Sequence, residues 1–304
     1  MIYVTQGHEK GIGLEIFFKS FIVLSKEEKK NITLVINEND LNQNFTDLKL
    51  KKENFKELNL VHPDVVVGTP SSTSSLLHVL GVIKETDILV TLPTSKDQLI
   101  FKGKSLAGYT EFFRSYYNNQ NISMTFKGIN QNVLLVTDHV ALKDVTKVIT
   151  KDLIVEKTNT TIEFYKKYFS TFDEIIFSGI NPHVGENGIL GNEDKVITLA
   201  IDDLKKKHIL KFSGPFSGDT LHMHSDSTKS QLFVYMFHDQ GLAQFKALHG
   251  LIGLNISMGL PFLRLSVDHG TAFELYGKNK ANASGLMFLF KQAFEVHKNV
   301  NKRN

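Results

Sequence analysis

The chain has 304 residues, 41% of them hydrophobic and 22% charged, with 35 basic against 32 acidic side chains and a formal net charge of +3. This length allows two domains or one large α/β unit with a sizeable core, and the near balance of charge gives no reason to expect nucleic acid or a membrane surface as partner. Cysteine is absent, which excludes disulfides, a thiolate nucleophile and thiolate metal ligands, and no apolar run approaches the ~18 residues of a membrane span.

From the N-terminus, MIYVTQG opens directly on a strand, with no charged n-region or apolar h-region, so a cytoplasmic location is expected. Apolar, β-branched runs predict strands at 2–5, 32–36, 65–67, 88–92, 133–137, 174–178, 232–237 and 254–257. Helical periodicity spans 13–24, 74–83, 106–117, 152–169, 194–207 and 285–296. Strand–helix alternation of this kind predicts an α/β protein with a largely parallel sheet. No repeat, low-complexity segment or Pro/Gly-rich linker interrupts it. The segment GHEKGIG, between the first strand and first helix, fits neither the dinucleotide fingerprint nor a Walker A loop; it reads as a tight strand-to-helix turn.

In open α/β sheets ligands gather at the carboxyl ends of strands. VLLVTDH ends on Asp138 and His139; EIIFSGINPH runs through Asn181 to His183 and the glycine-rich VGENGILG; LFVYMFHD ends on His238 and Asp239. Three histidines thus follow three different strands. Three neutral imidazoles around a divalent metal, with one coordination position open, form a catalytic arrangement. Their separation is too large for a local motif, so on the residues alone ligation and turn capping both stand. A second cluster, His222, His224 and Asp226 in LHMHSD, lies among polar residues and reads as a solvated turn. Arginine occurs only at Arg114, Arg264 and Arg303 among many lysines; Arg264, inside GLPFLRLS, hints that guanidinium geometry is wanted there.

The segments SGINPHVGENGILGNED, GPFSGDT, FHDQGLAQFKAL and LNISMGLPFLRLSVDHGTAFELYGKNKA resemble the 4-hydroxythreonine-4-phosphate dehydrogenase family, strongly over about 133–281 and more weakly in GIGLE, LPTSK and GYTEFF. The resemblance implies the two-domain isocitrate/isopropylmalate dehydrogenase-like α/β/α fold with mostly parallel sheets. Residues 1–122 with 262–304 would form one domain, and 123–261 the other. It implies NAD- or NADP-dependent oxidation of 4-phosphooxy-L-threonine to a 3-keto acid that decarboxylates to 3-amino-2-oxopropyl phosphate, in pyridoxal 5′-phosphate biosynthesis. Matching positions make His139, His183 and His238 the metal ligands, with zinc favoured over magnesium, manganese or cobalt for three imidazoles. Asp219 and Lys246 match catalytic positions. Tyr109, Thr110, Lys246, Asn255 and Arg264 match substrate contacts, and His269, Gly270, Thr271, Ala272 and Asn282 are expected on the dinucleotide. Gly241 is expected to allow a turn that brings Lys246 to the substrate phosphate. The family's active site implies a homodimer with residues from both subunits.

Three departures from the family pattern bear on substrate. Tyr109 stands where the family has histidine, GHEKGIG replaces a Gly-Asp-Pro-Ala-Gly-Ile-Gly turn, and GPFSGDT replaces a Leu-Pro-Ala-Asp pattern. They leave open a related dehydrogenase acting on 4-phospho-threonate or 4-phospho-erythronate. A metal-dependent hydrolase or acyltransferase on a related scaffold is the alternative of another class.

Overall fold

Residues 1–64 and 66–303 are described by the structure, a computed structural model. Contacts divide the chain into two units, residues 1–119 with 260 onward, and residues 120–259. In chain order the first unit begins with β1 (Ile2–Thr5), α1 (Gly13–Val23), α2 (Lys26–Lys30), β2 (Ile32–Val35), α3 (Glu38–Asp47) and β3 (Asn59–Val61). It continues through α4 (Ser71–Val82), β4 (Ile88–Thr91), the small hairpin β5 (Ile100–Phe101) and β6 (Lys104–Ser105), and α5 (Tyr109–Tyr117). The second unit carries β7 (Ser123–Lys127), β8 (Asn132–Leu135), α6 (Leu142–Val148), α7 (Lys151–Tyr168), β9 (Glu174–Ser178) and α8 (Lys195–Lys207). It ends with β10 (Lys211–Phe216), β11 (Gln231–Tyr235), α9 (His238–His249) and β12 (Leu254–Met258). The chain then returns to the first unit through β13 (Leu263–Val267) and α10 (Ser284–Arg303).

Strands of the first unit run in the order β13-β4-β1-β2-β3, and every pairing among them is parallel. Their runs read as continuous apolar segments because both faces are covered: β2 and β4 are buried at every residue. Helix α1 follows the same logic. Its Phe17, Phe18 and Phe21 are buried and pack with Phe45, Phe55 and Phe290. In the second unit the order is β10-β9-β11-β8-β7-β12. Strands β10, β9, β11 and β8 are parallel, while β7 pairs antiparallel with both β8 and β12. The turn from β7 to β8 is closed by the Gly128 N–H donating to the Gln131 carbonyl at 2.8 Å. Among the described residues no helix is long and apolar enough to cross a membrane.

The strand expected at 65–67 is replaced by β3. Val65 lies outside the described residues, Val66 and Val67 are exposed and irregular, and the parallel partner of β2 is Asn59–Val61. Pro63 and Pro70 flank that stretch and cannot donate to a ladder, and Gly68 sits at φ +82°.

A second correction concerns the segment after β11. In place of a turn at Gly241, helix α9 begins at His238 and runs to His249, with Gly241 in its first turns. A Cβ on Gly241 would stand 2.7 Å from Leu135 Cδ2 and 3.0 Å from Tyr235 Cδ2. The glycine therefore lets α9 press closely onto β8 and β11, where Leu242 and Phe245 join the buried cluster with Phe126, Leu135 and Tyr235. The expected outcome of Gly241→Val is a loss of about 1–3 kcal/mol from overpacking, read as a lower urea midpoint by circular dichroism; an unchanged midpoint would show that this contact is slack.

Candidate active site

Two clefts open at the carboxyl ends of the parallel strands in the second unit. One, of about 260 Å³, is lined by Asp138 and His139 after β8, by Phe237, His238 and Asp239 after β11, and by Val140, Leu142 and Val145. The imidazoles of His139 and His238 lie 5.8 Å apart between centroids, at 37°. Two rings bound through nitrogen to one tetrahedral metal at ~2.0–2.1 Å would have centroids about 5 Å apart, so this pair fits two positions of such an ion. The Nδ1 of His238 lies 2.7 Å from Asp239 Oδ1. That contact occupies Nδ1 and leaves Nε2 as the nitrogen available to a metal, a carboxylate–histidine arrangement common around metal ions.

The second cleft, about 390 Å³, is lined by Asn181, Pro182 and His183 after β9, by Ser217, Gly218 and Asp219 after β10, and by Gln240, Ala243 and Gln244 of α9. His183 and Asp219 are both exposed there. The structure thus pairs His139 with His238 and His183 with Asp219. Among the described residues no group of three or more His, Asp or Glu side chains is assembled that could hold one metal ion. The cluster His222, His224 and Asp226 forms no such group either; His224 stacks on Phe216 at 4.2 Å.

The loop bearing His183 has an unusual backbone. From His183 to Asn187 every residue has φ between 45° and 76°, a left-handed turn that costs about 1–2 kcal/mol per non-glycine residue. Gly185 meets that demand, and a Cβ there would also strike the Gly191 carbonyl at 2.5 Å. The turn is tied down by Asp194, 5% exposed, whose carboxylate accepts from Ile180 N at 2.6 Å, Asn181 N at 3.4 Å and Asn181 Nδ2 at 2.9 Å. Two glutamines of α9 fasten the neighbouring strand ends. Gln240 donates to the Gly179 carbonyl at 2.7 Å while accepting from Met236 N at 2.9 Å. Gln244 donates to the Gly218 carbonyl at 2.5 Å and accepts from the Tyr235 hydroxyl at 2.6 Å. Sequence reasoning assigned no role to Asp194, Gln240 or Gln244; an amide directly after a strand-end His-Asp pair was the available signal.

The first unit holds a cleft of about 360 Å³ at the carboxyl ends of β4 and β13. Its walls are Thr91 to Lys96, Ala107 to Tyr109, and the segment from Ser266 to Gly270. Tyr109, His269 and Gly270 therefore belong to one cleft, together with Thr94, Ser95 and Lys96 of LPTSK. Thr110 is buried beside it. The Tyr109 hydroxyl donates to the Leu92 carbonyl at 2.9 Å, and burial raises its pKa well above the ordinary phenol value. Arg264 is 2% exposed. Its guanidinium donates to Thr91 Oγ1 at 3.1 Å from Nε and 2.5 Å from the terminal nitrogen, and lies 4.8 Å from the Tyr109 ring centroid. Burial pulls its pKa down to about 10, so it stays charged at neutral pH.

Of the remaining expected residues, Thr271 accepts from Ile12 N at 2.9 Å, which joins the GHEKGIG turn to the 269–272 loop. Ala272 sits at φ 42°. Asn282 Oδ1 accepts from Ser284 N at 2.9 Å, a capping contact at the start of α10. Lys246 is exposed two turns along α9, about 12 Å from His238 by helix rise, and lines neither cleft of its unit. Asn255 is half-buried on β12.

Residues 23–293 match the sequence profile of a family described as pyridoxal phosphate biosynthetic protein PdxA. The chain belongs to that family. A relative named 4-hydroxythreonine-4-phosphate dehydrogenase, from Sulfurihydrogenibium sp. (strain YO3AOP1), is 32% identical over 306 residues, 92% of this chain and 93% of that one. Another, named D-threonate 4-phosphate dehydrogenase, from Pectobacterium atrosepticum, is 30% identical over 71% of this chain and 67% of its own. Among solved structures, 4-hydroxythreonine-4-phosphate dehydrogenase from Klebsiella pneumoniae has a TM-score of 0.78 at 23% identity, covering 98% of this chain and 99% of that one. An isocitrate dehydrogenase from Methylococcus capsulatus shares the fold at a TM-score of 0.57 and 11% identity, over 99% and 87% of the two chains. The isocitrate dehydrogenase-like architecture expected from sequence is therefore that of this PdxA-family chain.

Removing the Asp194 carboxylate strips the left-handed turn of its charge-assisted bonds and leaves partly buried N–H groups unmet. Asp194→Ala is expected to lose about 2–4 kcal/mol of stability and to become cleavable by limited proteolysis within 183–191. Undiminished resistance there would mean that the turn is held by other contacts.

Proposed function

We propose that this chain is an NAD- or NADP-dependent dehydrogenase that oxidises the C3 hydroxyl of 4-phosphooxy-L-threonine. The resulting 3-keto acid loses carbon dioxide to give 3-amino-2-oxopropyl phosphate, a step of pyridoxal 5′-phosphate biosynthesis. The observation that carries the reading is the imidazole pair His139 and His238 at adjacent strand ends, in a chain matched over nine-tenths of its length by a relative of that name. His139 and His238 are the proposed metal nitrogens, and His183 with Asp219, on the neighbouring cleft, would complete the set. Zinc suits an imidazole set, with magnesium, manganese or cobalt as alternatives.

A bound divalent metal would supply Lewis acidity at the substrate oxygens, and a bound nicotinamide the hydride acceptor. The chain's own residues do the rest. Asp219 accepts the C3 hydroxyl proton. Lys246 offers an ammonium to the phosphate, with Thr110, Asn255 and Arg264 as further substrate contacts. The 269–272 loop and Asn282 are assigned to the dinucleotide, and Tyr109, assigned with Thr110 to the substrate, lines the same cleft as His269 and Gly270. Asp239 holds the His238 ring in place. With a bound nicotinamide supplying the hydride acceptor, oxidation would leave the hydroxyl proton on the Asp219 carboxylate, and loss of carbon dioxide would leave an electron pair at C2 to be reprotonated. The assignment further includes a cytoplasmic homodimer whose active site draws on both subunits. A second substrate, 4-phospho-threonate, is favoured by two observations: Tyr109 stands in place of the family's histidine, and the Pectobacterium relative bears the threonate name.

Purified protein with NAD, a divalent metal and 4-phosphooxy-L-threonine is expected to produce the near-ultraviolet absorbance of reduced nicotinamide. Turnover of 4-phospho-D-threonate alone would move the substrate to the second reading, and no reduction with either would sink the dehydrogenase. His139→Ala and His238→Ala should each weaken metal binding 100-fold or more, roughly the loss of one of three ligands, with the far-ultraviolet spectrum unchanged. Wild-type metal affinity in both variants would refute the ligand pair.

A further inference from the structure

The first unit places a guanidinium directly behind a wall of its cleft. Arg264 is almost wholly buried, with its Cζ 4.8 Å from the centroid of Tyr109 and 5.7 Å from that of Phe113. Phe113 is itself fully buried, whereas Tyr109 is half-buried and lines the cleft. Of the two rings that face the guanidinium, Tyr109 is therefore the one standing on the open side. The ring is pinned at both ends. Its hydroxyl donates to the Leu92 carbonyl at 2.9 Å, and its backbone opens helix α5. Thr91, on the wall of the same cleft, holds the guanidinium through Oγ1.

We propose that Tyr109 is a specificity-determining cover over Arg264: the phenol ring must swing from its place before the guanidinium can meet a ligand phosphate. This rests on the reading of a phosphorylated substrate given above. A phosphate that reaches Arg264 gains charge-assisted, bidentate hydrogen bonds. It must first displace a cation–π contact and the hydroxyl's bond to Leu92. Those two interactions together are worth about a fivefold to thirtyfold factor in an equilibrium. Wild-type anion affinity at this point is reduced by that factor, and ligands whose remaining groups bind well enough to move the ring are selected. A histidine at position 109 would be a smaller ring and would leave the guanidinium more open, so the departure from the family pattern acts by access as well as by charge.

The chain contains three arginines, which makes the test direct. Wild type, Tyr109→Ala and Tyr109→Phe are treated with phenylglyoxal at one temperature, and modification of Arg264 is followed by peptide mass spectrometry with and without inorganic phosphate. Arg264 in wild type and in Tyr109→Phe is expected to react at least tenfold more slowly than in Tyr109→Ala, and phosphate should protect Arg264 in the alanine variant at a concentration fivefold or more below that needed in wild type. Equal reactivity of Arg264 in wild type and Tyr109→Ala would overturn the proposal, as would equal protection by phosphate. If Tyr109→Ala does not fold, Tyr109→His carries the same comparison with a smaller ring. No turnover is measured, so a failure to reduce NAD with the arginine pattern intact would remove the dehydrogenase reading alone.

Discussion

The side-chain amide of Gln240 joins the two strand ends that precede His183 and His238, two of the proposed metal ligands. It donates to Gly179, four residues before His183, and accepts from Met236, two residues before His238. It adds to backbone ties at the same strand ends, where Gly179 N donates to the Phe216 carbonyl at 2.7 Å and Thr137 N to the Met236 carbonyl at 3.1 Å. Gln244, one helical turn later, repeats the device for the loop that bears Asp219. The parallel strands bring their carboxyl ends to one edge as a matter of topology, but topology alone does not set side chains to within a hydrogen-bond length. In this unit the fine placement comes from the first two turns of α9, pressed onto β8 and β11 by the missing Cβ of Gly241.

The first unit solves a different problem. A buried arginine is costly unless its hydrogen bonds and charge are satisfied, and Arg264 meets this through Thr91 and the faces of Tyr109 and Phe113. With these contacts β13 buries an arginine among Leu263, Leu265 and Val267, and under the proposal above the same side chain would also meet a ligand phosphate.

Much of this was legible in the sequence, and the gaps have physical causes. Strands β1 and β9 lie where their apolar runs place them, and α1, α7 and α8 agree with their periodicity to within a residue at each end. Strand-end histidines were visible because a long apolar run stops abruptly at each. Strands β7, β10 and β13 were hidden by interrupting polar or special residues: Thr125 in β7, Gly214 and Pro215 in β10, Arg264 in β13. Helix α9 was masked because its N-cap is Phe237, with no side-chain cap, so no Ser, Thr, Asp or Asn announced its start. The burial of Arg264 was out of reach for a related reason, since the contacts around its charge include aromatic faces and a hydroxyl from residues distant in sequence, Thr91, Tyr109 and Phe113. What made arginine noticeable at all was its scarcity in a lysine-rich chain.

The central claim is that this PdxA-family scaffold carries out oxidation and decarboxylation on one bound substrate. The most direct measurement follows both products together: reduced nicotinamide by absorbance and carbon dioxide by trapping, from carboxyl-labelled 4-phosphooxy-L-threonine. The account predicts that they appear in equal amounts and at the same initial rate, and that both vanish when His238 is replaced by alanine. Carbon dioxide release without nicotinamide reduction, or undiminished product from the His238 variant, would contradict it.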